Sequence, residues 1–343
     1  MDTGRKAGMM NRQLDEKIFI EVNGIRQGMF LQSENTENPV LLYLHGGPGS
    51  PEIAFTQDYP TGLEQLFTVC WWEQRGSGIS YSRKVTKETM TIGQMIEDAT
   101  AVTNYLRRRF GKEKIYVLGH SWGSVLGVLT VQKSPELFHV YIGIGQVVCQ
   151  SKSECLAYSF MVNEFTAAGD RKMLRRLEKF PIDRGGGVSF QYLAVRSVGM
   201  MKLGIGIMHH LDSMSDCIKI VLRYKGYTLK DKLHFVMGSG LALKCLWDFV
   251  MQTDFIKQVP RLEIPVYIFQ GRFDYQVSYS LAKEFADTVK APVKGFYTFE
   301  NSAHSPCFEE PKKMCRIIQP VPFDIGMTTL IIFCFPLLLL LLF

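Results

Sequence analysis

The sequence has little of what marks an exported or metal-binding protein. Its eight cysteines are scattered along 343 residues, with no C-x-x-C pair and no histidine at zinc-finger spacing. The sequence therefore predicts reduced thiols and no metal site. The first twenty residues mix charges and contain no continuous apolar stretch, which argues against a secretory signal. We expect a cytoplasmic protein.

A basic surface for nucleic acid is also missing, although the net charge is +6. The excess lies between residues 148 and 258, where 16 Lys and Arg face 10 Asp and Glu. Basic residues recur there at helical spacing, as in Lys172, Arg175, Arg176 and Lys179, which is typical of a solvated helix face. We expect no nucleic-acid partner. The oligomeric state is not predicted.

One long run lacks charge altogether. Residues 327–343 are 17 uncharged residues that follow Lys312, Lys313 and Arg316. As a helix they would span about 25 Å, against about 30 Å for a hydrocarbon core, and Pro336 interrupts them. Two interpretations stay open. The tail is a membrane anchor that keeps the rest of the chain on the cytoplasmic side, or it is an extension without a role.

Short apolar runs alternate with helical patterns through most of the chain. Several runs are apolar throughout, as expected for strands that are covered on both faces. The predicted strands are residues 17–22, 28–31, 40–44, 67–72, 115–118, 140–144, 265–270 and 295–299. A helix is predicted from Thr91, as N-cap, to Gly111, as its stop. The pattern favours an α/β fold with a mostly parallel eight-stranded sheet and helices on both faces.

The alternation breaks between residues 148 and 260. Stretches such as 154–180 and 237–251 have helical patterns without a strand between them, and 185–187 are three glycines that predict a turn. We therefore predict a helical cap at 148–260, inserted between the two parts of a core at 1–147 and 261–320.

The strongest local motif is Gly119-His120-Ser121-Trp122-Gly123, between an apolar strand and an apolar helix. In this context G-x-S-x-G predicts a sharp turn that exposes Ser121 as a nucleophile at a helix N-terminus. Upstream, the 40–44 strand ends in His45-Gly46-Gly47-Pro48-Gly49. There the backbone N–H of Gly47, together with that of Trp122, is predicted to bind an oxyanion.

The base and the acid must follow the nucleophile in the chain. Of only seven histidines, two lie in these motifs, four precede the last strands, and His304 alone follows them. Asp274 comes directly after the 265–270 strand, where its carboxylate can accept the Nδ1–H of the histidine. Glu300 is the reserve candidate for the acid. Ser121, Asp274 and His304 are thus the predicted catalytic triad, and no metal or organic cofactor is needed.

With these residues in place, the chain resembles the prolyl iminopeptidase (proline aminopeptidase) branch of the α/β hydrolases. The motifs that carry the resemblance are LHGGPG at 44–49, WWEQRGSG at 71–78, GHSWGS at 119–124, GRFD at 271–274 and AHSP at 303–306. The resemblance covers roughly residues 17–316. It implies the same triad and oxyanion hole, a helical cap, and release of N-terminal proline or another residue from small peptides.

The cap departs from that family. Its aminopeptidases use acidic residues, chiefly glutamates, to hold the protonated substrate amine, whereas here Tyr275 follows Asp274 and no glutamate occurs from 179 to 262. Eight of the 16 methionines also fall in the cap, which suits an adaptable apolar pocket as well as helix packing. The cap aspartates that could replace the glutamates are 212, 216, 231, 248 and 254.

The motifs predict a serine hydrolase that works by acyl transfer, and the resemblance implies small peptides or amides as its substrates. The alternative is a carboxylesterase or amidase for an apolar acyl group. A binding protein that has lost the chemistry is disfavoured because the whole triad is present. An epoxide hydrolase or dehalogenase needs an acid where Ser121 stands.

Overall fold

The computed structural model describes residues 13–182, 188–211 and 213–319, and their fold is built on one sheet of eight strands. The tail at 327–343 and the glycine turn at 185–187 lie outside the described residues. In chain order the strands are β1 (Leu14–Val22), β2 (Ile25–Ser33), β3 (Val40–Leu44), β4 (Thr68–Trp72), β5 (Ile115–His120), β6 (Phe138–Ile144), β7 (Val266–Gly271) and β8 (Lys294–Phe299).

Across the sheet the strands run in the order β1-β2-β4-β3-β5-β6-β7-β8. Neighbours from β4 to β8 are parallel, whereas β1, β2 and β4 pair antiparallel at one edge. Every residue of β3, β4 and β5 is buried, which explains their continuous apolar runs. All eight predicted strands are confirmed, with ends that differ by up to three residues.

Twelve α-helices accompany the strands in the described part of the chain. They are α1 (Leu63–Leu66), α2 (Ile92–Phe110), α3 (Trp122–Lys133), α4 (Gln150–Ala167), α5 (Arg171–Leu177), α6 (Phe190–Lys202), α7 (Met214–Arg223), α8 (Leu229–Gln252), α9 (Phe255–Gln258), α10 (Tyr279–Thr288), α11 (Pro306–Glu309) and α12 (Pro311–Ile318). The predicted ends of α2 are confirmed. Thr91 caps it by accepting the Gln94 N–H, and Gly111 ends it with a φ of +62°.

Helices α4 to α9 lie between β6 and β7, in the segment predicted as the cap. Its bounds, 148–260, stay a prediction. The stretch with a helical pattern at 154–180 holds two helices, because α4 ends at Ala167 and α5 starts at Arg171. Gly169 takes a φ of +67° between them, and the Asp170 side chain caps α5 at the Met173 N–H.

The parallel strands bring the predicted site together. Since β3, β5, β6, β7 and β8 point the same way, the residues that follow them meet at one edge of the sheet. His45 follows β3, Ser121 follows β5 and Gly145 follows β6. Asp274 and His304 lie in the loops after β7 and β8.

Candidate active site

Ser121 occupies the tight turn between β5 and α3. Its φ of +54° and ψ of −121° are unfavourable for a residue with a side chain. The two motif glycines make the turn possible. A Cβ on Gly119 would lie 2.3 Å from the Gly123 carbonyl oxygen, and one on Gly123 would lie 1.9 Å from that of Leu44. The G-x-S-x-G motif therefore has the strained conformation that its sequence predicts.

His304 and Asp274 are in direct contact. Nδ1 of His304 lies 2.8 Å from Oδ2 of Asp274, and both side chains are buried. The carboxylate is fixed by three further donors, which are Nε2 of Gln270 at 2.7 Å and the backbone N–H groups of Gln276 and Val277 at 2.8 and 3.2 Å. Because these bonds hold the carboxylate, the Asp274 side chain orients the imidazole. Glu300, the reserve acid, instead forms an exposed ion pair with Arg272.

The backbone around His304 is held by neighbouring segments. A Cβ on Gly145 would lie 2.8 Å from the His304 ring, so only glycine lets the ring sit against the end of β6. Gly206 belongs to the helical segment between β6 and β7, called the insertion below, and its carbonyl accepts the His304 N–H at 3.2 Å. His304 therefore contacts both the sheet and the insertion.

Two cavities meet at these residues. The front cavity, of about 310 Å³, reaches Ser121 and His304 past an apolar wall that includes Phe55, Ile207 and Phe308. The rear cavity, of about 190 Å³, also borders Ser121 and His304, and its wall includes Trp122, Arg196 and Trp247. Both cavities share Gly47 and Gln276. The structure thus brings Ser121, His304, Gly47 and Trp122 to the same space.

Gln74 connects the two segments that carry Gly47 and Trp122. Its Nε2 donates to the His45 carbonyl at 3.0 Å, and its Oε1 accepts the Trp122 indole N–H at 2.9 Å. Gly47 has a φ of +115°, and a Cβ there would lie 2.6 Å from the Gly49 nitrogen. The backbone at Gly47 therefore needs glycine, and the Gln74 amide fixes its distance from the start of α3.

His45 is a neutral part of this arrangement. Burial lowers its pKa to about 4. Its Nδ1 lies 2.9 Å from the Gly46 carbonyl, and its Nε2 accepts the Gln74 backbone N–H at 3.1 Å. His45 thus supports, in its neutral form, the glycine loop formed by residues 46–49.

The sequence analysis missed the pair formed by Glu52 and His120. Oε1 of Glu52 lies 2.8 Å from Nδ1 of His120 and accepts the Gly46 N–H at 2.9 Å, while Oε2 accepts the Tyr43 hydroxyl at 2.7 Å. Nε2 of His120 lies 3.0 Å from the carbonyl oxygen of His304. Both ring nitrogens of His120 therefore face acceptors, which favours the doubly protonated imidazolium.

The pKa directions agree with an ion pair. Burial alone would raise the pKa of Glu52 and lower that of His120, but their mutual attraction and hydrogen bonds outweigh it. The pKa of Glu52 is lowered and that of His120 is raised. Glu52 lies three residues after Gly49 and His120 directly precedes Ser121, so nearness in sequence to the two predicted motifs was the signal that could have found this pair.

Glu154 pairs with Arg196, whose side chain lines the rear cavity. Oε2 of Glu154 lies 2.8 Å from Nε of Arg196, and the other Arg196 nitrogens donate to the side chain and carbonyl of Gln276, both at 3.0 Å. Of the cap aspartates considered as amine partners, Asp212 lies outside the described residues. The others, at 216, 231, 248 and 254, line neither cavity. In the described part of the chain, no group of three or more His, Cys, Asp or Glu is placed to hold a metal ion.

Comparisons with known proteins agree with this geometry. Residues 63–311 match the sequence model of the family described as serine aminopeptidase, S33. A probable aminopeptidase of Bacillus subtilis, YbaC, is 34% identical over 300 residues, covering 88% of this chain and 94% of the relative. A proline iminopeptidase of Heyndrickxia coagulans is 24% identical, covering 88% and 96%.

The fold also has solved counterparts. The crystal structure of the proline iminopeptidase of Mycobacterium smegmatis superposes with a TM-score of 0.63 at 16% identity, over 88% of this chain and 96% of that one. At such low identity the likeness shows the α/β-hydrolase fold alone. With the family match and the similarity to YbaC, it supports one conclusion: the chain belongs to the serine aminopeptidase S33 family and is a serine hydrolase with the α/β-hydrolase fold.

Proposed function

We propose that the chain cleaves its substrate by acyl transfer to Ser121. The observation that carries the proposal is the 2.8 Å contact between His304 and Asp274 beside the strained Ser121, with His304 and Ser121 lining one cavity. Since the Nδ1–H of His304 donates to Asp274, Nε2 keeps its lone pair and takes the serine proton. The alkoxide attacks the carbonyl, the leaving group departs with that proton, and water releases the acyl group.

The backbone N–H groups of Gly47 and Trp122 are the proposed oxyanion donors. Both residues line the rear cavity with Ser121, and Trp122 is the first residue of α3, where helix N–H groups point away from the helix. The hydrogen bonds of Gln74 to the His45 carbonyl and the Trp122 indole support a fixed spacing of the two donors.

The proposed substrates are small peptides or amides, from which an N-terminal proline or another residue is released. This choice is supported by the family match and by relatives named aminopeptidase and proline iminopeptidase. It requires the site to accept a substrate amine.

A specific observation favours a second candidate, hydrolysis of esters or amides of an uncharged apolar acyl group. Among the described residues, Glu52 is the one carboxylate that lines either cavity, and it faces His120, so none is left over there for a substrate ammonium group. The front cavity is also mainly apolar, with Phe55, Ile207 and Phe308 in its wall.

The test of the mechanism is labelling by a fluorophosphonate probe. Ser121→Ala should abolish both labelling and hydrolysis while the circular dichroism spectrum stays unchanged. Ser159→Ala is the control, because Ser159 is exposed on α4 and lines neither cavity. It should keep both activities. Undiminished labelling of Ser121→Ala would rule out this nucleophile.

The two substrate classes are separated by one matched pair of compounds. Proline naphthylamide and its N-acetyl derivative share the scissile bond and the leaving group, and they differ in the charged amine. Preference for the free amine supports the aminopeptidase. Preference for the acetylated compound, with rapid turnover of p-nitrophenyl butyrate, supports the second candidate.

A further inference from the structure

Exposed apolar side chains are concentrated on two helices of the insertion. Eleven large apolar side chains are exposed in the described part of the chain, and seven of them belong to α7 and α8. They are between 41% and 87% exposed, and they are Met214, Ile218, Leu222, Leu229, Leu233, Val236 and Met237. Such a concentration on one surface differs from the scattered exposed apolar residues of ordinary proteins.

The spacing of these residues gives each helix an apolar outer face. Met214, Ile218 and Leu222 recur every four residues on α7, and Leu229, Leu233 and the 236–237 pair do so on α8. The opposite faces are already packed. On α8 the buried residues are Gly238, Ala242, Leu246 and Val250, and on α7 they are Cys217, Ile220 and Val221.

This outer face is continuous with the cavity that reaches Ser121. Met214, Ile218, Leu222 and Val236 all line the front cavity. The apolar surface therefore surrounds the mouth of the candidate active site and extends into its wall.

Positive charge accompanies the apolar residues. Lys225, Lys230 and Lys232 form no ion pair with any described carboxylate, and Lys232 lines the front cavity beside Val236. The two acids of α7 and α8 that lie near them are already paired, Asp216 with Lys219 and Asp231 with Lys17. Arg223, at the end of α7, pairs with Asp58 of the core. The surface therefore carries an excess of positive charge.

We propose that the outer faces of α7 and α8 dock on an anionic lipid surface, with the mouth of the front cavity turned towards the lipid. The exposed apolar residues are all aliphatic or thioether side chains, which suit acyl chains, and lysines among them suit anionic headgroups. Docking does not depend on the chemistry at Ser121. It would also deliver apolar substrates directly into the cavity.

Helix α8 lies on the lipid surface in this arrangement and does not cross it. Among the described residues it is the one helix whose length and hydropathy would allow a membrane span. However, its inner face is fixed to the core. A Cβ on Gly238 would lie 2.4 Å from the Gly76 carbonyl oxygen, and the Ser239 hydroxyl donates to the Gly49 carbonyl at 2.8 Å. Crossing would break this packing.

The test is co-sedimentation of the full chain with vesicles of phosphatidylcholine alone or mixed with phosphatidylserine. The full chain should bind the mixed vesicles more strongly. The variant with Ile218→Ser, Leu222→Ser and Leu233→Ser should bind both kinds at least about tenfold more weakly, since three apolar contacts are lost. Changing Lys225, Lys230 and Lys232 to Gln should weaken binding to mixed vesicles alone, by about fivefold per lysine.

The matched control changes three other exposed apolar residues, Leu156, Val198 and Val293, to Ser. They are similarly exposed, at 42% to 50%, and lie outside α7 and α8. This variant and Ser121→Ala should bind vesicles like the unchanged chain, which separates docking from catalysis. All variants keep residues 327–343, so differences report on α7 and α8.

Several results would overturn the proposal. The proposal fails if the full chain does not bind vesicles, or if the α7–α8 variant binds them as well as the unchanged chain. It also fails if the control variant loses as much binding as the α7–α8 variant. A change of molecular mass by light scattering in the α7–α8 variant, without a change in vesicle binding, would show instead that a second copy of the chain covers this face.

Discussion

The Tyr227 hydroxyl donates a hydrogen bond of 2.5 Å to the Glu73 carboxyl group, and this bond joins the segment before α8 to the segment after β4. The Ile79 N–H donates to the second carboxyl oxygen at 2.6 Å. Both side chains are buried. Glu73 thus links the insertion to the core through a group that can change its charge.

Stability should fall with rising pH because of this group. Burial raises the pKa of Glu73 to about 8, from its ordinary value of 4.5. Between these values the folded chain keeps a proton that the unfolded chain has released, so the free energy of unfolding decreases as the pH rises through this interval. Glu73→Gln stays neutral at every pH, so its free energy of unfolding should not show this decrease. The stability of the variant relative to the unchanged chain should therefore increase from about pH 5 to about pH 8, as measured by urea titrations.

Exposed Glu113→Gln is the control for that experiment. Its stability difference from the unchanged chain should be the same at each pH. A constant difference for Glu73→Gln as well would show that Glu73 keeps an ordinary pKa in the folded chain.

Gln74→Ala should slow catalysis without impairing substrate binding. The change removes the hydrogen bonds to His45 and Trp122, and the proposed oxyanion donors lose their fixed spacing. We expect kcat to fall about 10- to 100-fold with little change in KM. Steady-state kinetics measures both. Exposed Gln65→Ala should behave like the unchanged enzyme, and a raised KM with normal kcat in Gln74→Ala would contradict the role given to Gln74.

Glu52→Gln should destabilise the chain in a pH-dependent manner. Near neutral pH it removes the charge that faces His120, at a cost of about 1.5 to 3 kcal/mol. The pKa of Glu52 is lowered in the folded chain, so its stabilising effect is present above the ordinary pKa and is lost as the pH falls through the folded value. The Tm difference between the two chains should narrow in acid. A difference that widens there would contradict the ion pair.

Asp98→Asn should be among the most destabilising single changes in the core. Its carboxylate binds the buried Arg75 at two points, 2.6 and 2.9 Å, and also accepts from Gln27 at 2.7 Å. Leaving the guanidinium without its partner should cost about 3 to 5 kcal/mol in urea unfolding. Asp216→Asn, in an exposed pair with Lys219, should change stability by less than about 1 kcal/mol.

The strands and the catalytic turn could be predicted because their causes are local. Parallel strands covered on both faces are apolar throughout, and the strained turn at Ser121 requires glycine on either side. The break between α4 and α5 also has a local cause, the positive φ of Gly169, but the helical pattern over 154–180 does not reveal it.

The contacts that hold the site could not be predicted because they join distant positions. Glu52 meets His120 across 68 residues, and Gln74 meets Trp122 across 48. Neither pairing has a signature in residue spacing, since it depends on which loops the parallel sheet brings together. The structure also explains the WWEQRGSG motif. Glu73 is bonded to Tyr227, Gln74 to the His45 carbonyl before the glycine loop, and Arg75 to Asp98.

The hydrogen bond from the His304 backbone to Gly206 bears on how the enzyme turns over. If the whole insertion moved away as one rigid body, Gly206 would move with it, and the loop that carries His304 would lose this hydrogen bond in every cycle. If instead Gly206 stays in place and the side chains of α7 and α8 at the cavity mouth move aside, this hydrogen bond persists while substrate and product exchange. The imidazole then needs no repositioning between turnovers.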